Sequence, residues 1–114
     1  MNESLIDPEA WETLKSMGDP AFLAELIGEY LKDSPDLIQQ MRIGLATADI
    51  ETVRRAAHSL KSNSASLGAS RLADASRELE MLAKDGGLAG GDTRLAAIEA
   101  EYDRLAPVLR EMIK

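Results

Sequence analysis

The chain contains no cysteine. Disulfides, thiolate nucleophiles and cysteine-ligated zinc are therefore excluded. It has a single histidine, which with no cysteine leaves only carboxylates as metal ligands, and no Glu-x-x-His pair of the di-iron bundle type occurs. Aromatics are few: Trp11, Phe22, Tyr30 and Tyr102 are the whole set, too sparse for a platform that stacks single-stranded nucleic acid. Basic residues are the minority, 13 against 20 acidic ones, for a formal charge of -7. That balance argues against a nucleic-acid binder, which needs a basic face for phosphates. No run of about 18 apolar residues exists, so no membrane-spanning helix is expected. The N-terminus lacks a basic stretch followed by an apolar core, so a signal peptide is not expected and a cytoplasmic location is. Gly-rich phosphate loops, kinase motifs and a nucleophile elbow are also missing.

What is present favours helix. Ala, Leu, Glu, Arg and Met abound, while β-branched and aromatic residues are scarce. At 114 residues the expectation is one domain over 1–114 with one core. Asp7-Pro8 reads as N-cap and first helical residue of a short helix that ends at Gly18 and carries Trp11 and Leu14. Asp19-Pro20 repeats the signal. The stripe Leu23, Leu26, Ile27, Tyr30, Leu31 then runs through Ile38, Met41 and Leu45 in phase, despite Pro35. Residues 20–47 are thus one kinked helix or two collinear ones. Asp49 is expected to cap a helix over 50–67 stopped by Gly68, Ser70 to cap one over 71–85, and Asp92 to cap the last after the flexible Gly86–Gly91 connector. In that last helix Leu95, Ile98, Tyr102, Leu105, Leu109 and Met112 recur at bundle spacing, with a kink expected at Pro107. The fold class is all-α: an antiparallel up-down four-helix bundle with a short N-terminal capping helix, whose core includes Leu60, Leu67, Leu79, Ile98 and Leu105.

His58 stands apart from the apolar stripe of its helix. At 100° per residue it lies about 160° from Leu60, and Ser62 and Ala65 share its side, with Lys61 near the edge. An outward ring is thus expected, on a face of small side chains that would let another protein approach closely. The charge pattern agrees. Residues 1–36 sum to -7 and residues 62–114 to -2, whereas residues 37–61 sum to +2 through Arg42, Arg54, Arg55 and Lys61 against Asp49 and Glu51. A basic segment in an acidic chain suits an acidic or phosphorylated partner.

The run Ala57-His58-Ser59-Leu60-Lys61-Ser62-Asn63-Ser64-Ala65-Ser66-Leu67-Gly68-Ala69 resembles the signature of histidine-containing phosphotransfer (HPt) domains, the relay modules of multistep two-component signalling. That pattern has the phospho-accepting His, then Leu two later, Lys three later, a small residue four later and Gly ten later. Ser62 stands where the family often has Gly. The resemblance implies that His58 accepts a phosphoryl group from a receiver-domain aspartate and passes it to another, with Lys61 offsetting phosphoryl charge. Arg54, Arg55, Ser62, Ala65 and Gly68 are the candidate docking residues. It also implies a phosphocarrier rather than an enzyme, with no cofactor or metal of its own. Mg²⁺ is expected in the partner receiver domain. Response-regulator receiver domains, a hybrid sensor histidine kinase, or both are the partners implied, with no nucleic acid and no membrane, and the carrier itself is expected to be a monomer. Two other readings remain open: a helical adaptor that binds a signalling partner without phosphotransfer, and a piece of a larger hybrid kinase.

Overall fold

A computed structural model describes residues 5–113 as five helices, with no strand among them. They are α1 (Pro8–Ser16), α2 (Pro20–Ala46), α3 (Ile50–Leu67), α4 (Ser70–Lys84) and α5 (Gly91–Met112). Three starts follow the local chemistry of capping. The side chains of Asp7, Asp19 and Asp49 accept from the backbone N–H of Glu9, Phe22 and Thr52, and proline follows the first two caps. Gly68 ends α3 in the left-handed conformation at φ 81°. Two expected caps are corrected. Ala69, not Ser70, occupies the N-cap of α4, and Gly90, not Asp92, that of α5; neither makes a side-chain cap bond. Ser70 and Asp92 lie inside the first turns, where Asp92 still complements the helix dipole.

Short connections make consecutive long helices antiparallel neighbours. α3 packs on α2 and α4, and α5 packs on α2 and α4, closing a square bundle of 42 × 21 × 21 Å. The predicted core residues Leu60, Leu67, Leu79, Ile98 and Leu105 are all buried, together with Ile27, Met41 and Val53. Gly44 lets α2 and α3 approach: a Cβ there would sit 2.6 Å from Val53 Cγ2. α1 lies against α3, with Trp11 half-buried on the core.

Pro35 does not break α2, which runs unbroken through it. A proline deprives the carbonyl four residues back of its donor, here Leu31. That oxygen accepts instead from the Tyr102 hydroxyl of α5 at 3.4 Å. The neighbouring Ser34 hydroxyl donates to the Tyr30 carbonyl at 2.7 Å within the core. Pro107 is likewise contained within a continuous α5.

Candidate functional site

α3 carries the site because its two faces differ in kind. Val53, Ala56, Ala57, Leu60, Ser64 and Leu67 turn inward. The His58 side chain is 54% exposed, and Ser62 and Ala65 are exposed along the same face. The outward ring expected from helical periodicity is therefore present.

The ring is not free. His58 Nδ1 lies 2.7 Å from Oε2 of Glu80 on α4. The other carboxylate oxygen, Oε1, is 2.7 Å from Lys61 Nζ. Glu80 is 5% exposed, so one buried carboxylate takes a hydrogen bond from each of two α3 side chains. Burial pushes its pKa up, but the bonds from Lys61 and then His58 outweigh burial and hold it below the ordinary 4.5. Glu80 is thus an anion near neutral pH. An ionised carboxylate only accepts, so the ring proton belongs on Nδ1 and the lone pair on Nε2. The ring makes no other hydrogen bond among the described residues.

Sequence reasoning on α3 alone missed Glu80. Its signal was on α4: Ala73, Ser76, Glu80 and Ala83 form a buried line of small residues with one acid among them. An acid on an inward line needs a buried partner.

The other candidates separate. Arg54 is half-buried and its guanidinium bonds both oxygens of Glu51, at 3.1 and 2.5 Å. Arg55 is more exposed, 3.8 Å from the same carboxylate. The pairing of Glu51 is thus chiefly with Arg54 at i+3, not with Arg55 at i+4. Gly68 is buried beneath the start of α1 and its carbonyl accepts from the Asp7 N–H at 2.6 Å. This corrects its assignment to docking, because a partner cannot reach it. Among the described residues, no group of three or more His, Asp or Glu side chains could hold a metal ion.

The described residues thus form a helical bundle with one outward imidazole, backed by a buried carboxylate and flanked by small side chains. The Hpt domain family matches residues 25–107, and the chain belongs to that family. Its members have a histidine phosphotransfer role in phosphorelays, as carriers that interact with receiver domains or histidine kinases. The fold is similar to that of histidine-containing phosphotransfer protein B (HptB) from Pseudomonas aeruginosa PAO1. The TM-score is 0.88 at 23% identity, covering 94% of this chain and 92% of that one. The chain matches no protein of curated function. No helix among the described residues is long and apolar enough to cross a membrane.

Proposed function

We propose that this chain is a single-domain, cytoplasmic phosphorelay carrier. In this reading Nε2 of His58 accepts a phosphoryl group from a receiver-domain aspartate and passes it to a second receiver. The observation that carries the reading is the His58–Glu80 contact on an otherwise open ring.

The chemistry follows from where the proton sits. The Nε2 lone pair attacks phosphorus, the Nε2–P bond forms, and the aspartyl O–P bond breaks with its electron pair going to the departing carboxylate. The ring keeps its Nδ1 proton and becomes cationic, facing the ionised Glu80. In the reverse direction the Nε2–P pair returns to nitrogen and the neutral Nδ1–H ring is restored. Neither direction needs a proton to enter or leave, so a fixed tautomer serves both. The receiver supplies the aspartate and, in this reading, the Mg²⁺ that screens the transferred group. Exposed Ser62 and Ala65 after His58 on α3, with exposed Arg55 one turn before it, form the surface on which the receiver would sit.

Incubation with phosphorylated receiver domains, followed by detection of acid-labile phosphate on the chain, tests this. The wild-type chain should be labelled and His58→Gln should not, with its helical circular dichroism retained. Label on His58→Gln would show that another residue is the acceptor.

A further inference from the structure

Arg54, Arg55 and Lys61 are the cations of α3 within about one turn of His58. Two of them are engaged. Lys61 Nζ lies on Oε1 of Glu80, and Arg54 bonds both oxygens of Glu51. We infer that Arg55 is the cation that meets the phosphoryl group on His58, a catalytic residue of the transfer and not a docking residue alone. This rests on His58 being the acceptor.

Helical position puts Arg55 on the reacting side of the ring. At 100° per residue, Lys61 and Arg54 fall about 60° and 40° from His58 in one direction, and Arg55 falls about 60° in the other. The first direction is that of α4, since Lys61 reaches Glu80. The second is that of α2, since Arg55 lines a groove with Leu37 and Gln40. Nδ1 is turned toward Glu80, so Nε2, on the opposite edge of the ring, is turned away from α4. Thr52, Ala56 and Ser59 complete the groove, and Arg55 is its one charged residue. Arg77 and Lys84 flank Glu80 by about one turn on α4 and so stand on the Nδ1 side.

Arg55 is also loosely held. Its side chain is 70% exposed, and its one ion pair among the described residues is a 3.8 Å contact with Glu51, a carboxylate that Arg54 already holds. Leaving so exposed a partner costs little. Residues three apart on a helix have Cβ atoms about 5–6 Å apart, a span that an extended arginine covers. A guanidinium presents paired N–H donors to two phosphoryl oxygens at once. Negative charge is spread over those oxygens as phosphorus passes between aspartate and Nε2, and Arg55 stabilises it there.

Phosphoramidate separates this role from docking, because it phosphorylates histidine with no receiver present. The Nε2 lone pair attacks its phosphorus and the Nε2–P bond forms. The P–N bond of the reagent breaks with its electron pair going to nitrogen, which already carries three protons and leaves as ammonia. On the full-length chain, Arg55→Gln should be labelled roughly tenfold more slowly than wild type. Arg55→Lys keeps the charge without the fork and should recover only part of the rate. Arg110→Gln, exposed on α5, should be labelled at the wild-type rate and controls for net charge. The limiting rate of single-turnover transfer from a phosphorylated receiver should fall by a similar factor in Arg55→Gln. Equal labelling of wild type and Arg55→Gln by phosphoramidate would overturn the inference, and slowing confined to the receiver reaction would return Arg55 to docking. Equal slowing in Arg55→Gln and Arg110→Gln would also overturn it. A wild-type chain that neither donor labels would instead remove the acceptor reading, and this inference with it.

Discussion

Nδ1 of His58 and Oε2 of Glu80 stand 2.7 Å apart across the α3–α4 interface, joining residues 22 positions apart in the chain. The contact ties the half-exposed ring to the core and couples the site to acid stability. Glu80 titrates below the ordinary 4.5 in the folded chain, because the bonds from Lys61 and His58 outweigh the opposing effect of its burial. A depressed carboxylate stabilises the fold above its unfolded pKa, and that contribution is lost as pH falls through the folded value. Wild type should therefore lose stability on acidification below about pH 4.5 more steeply than Glu80→Gln, which lacks the titrating group. Urea unfolding at stepped pH measures this. Parallel acid limbs for the two proteins would show that Glu80 contributes nothing there.

At the alkaline end the corresponding group is Tyr30. Its hydroxyl is 2.7 Å from that of Ser64, and both side chains are buried between α2 and α3. Burial is the largest influence and pushes the phenol up to about 12, from an ordinary value of 10.0. A raised pKa contributes stability that is complete below the unfolded value and fades as pH climbs through the folded one. Tyr30→Phe should cost about 1–2 kcal/mol at pH 7, since the Ser64 hydroxyl loses its partner. The same variant should then lose less stability than wild type between pH 10 and 12. Tyr102, also raised by burial, acts in the same direction in both proteins and does not obscure the comparison.

How legible these features were depends on how local their causes are. Asp7-Pro8, Asp19-Pro20, Asp49 and Gly68 act on the residues beside them, so the sequence announces them and the structure agrees. The outward face of His58 follows from helical periodicity alone. Ser70 and Asp92 carry the right chemistry for caps, but the backbone turns one or two residues earlier, at Ala69 and Gly90. Pro35 is a breaker by every local rule, and its tolerance depends on Tyr102, distant in sequence, which bonds the carbonyl it orphans. The partner of Glu80 is hidden in the same way. Nothing beside it on α4 hints at His58, and only the packing of α3 on α4 brings the two together.

Gly68 shows what the family-like glycine does in this chain. A Cβ there would stand 3.1 Å from Ala10 Cβ and 3.2 Å from the Asp7 carbonyl oxygen, in a left-handed backbone. Gly68→Ala should cost about 1–3 kcal/mol from strain and overpacking together. Gly86→Ala, at φ 90° with open space around it, carries the strain without the packing and is the control. Trp11 is the sole tryptophan and rests half-buried on the core next to this contact. Its fluorescence should shift to the red in Gly68→Ala and stay fixed in Gly86→Ala. Identical spectra and stabilities for the two variants would show that α1 does not depend on the close approach at Gly68.

Docking and chemistry should separate along α3. Ser62 and Ala65 follow His58 by about one and two turns on the same exposed face, and neither has the length to reach a group held on Nε2. On the proposed docking surface, a bulky charge at Ala65 would hold a receiver off, while leaving the ring, Glu80 and Lys61 untouched. Ala65→Arg should therefore raise the apparent dissociation constant for a phosphorylated receiver by roughly tenfold or more and leave the limiting transfer rate unchanged, the pattern of lost binding that is uniform along the reaction. Ala96→Arg is the matched control: it is exposed on α5, which packs on α2 and α4 and lies across the bundle from α3. Single-turnover transfer at rising receiver concentration separates the two parameters. Equal weakening by both variants would reduce the effect to net charge. A fall in the limiting rate of Ala65→Arg with unchanged binding would mean that this part of α3 shapes the chemistry instead of the encounter.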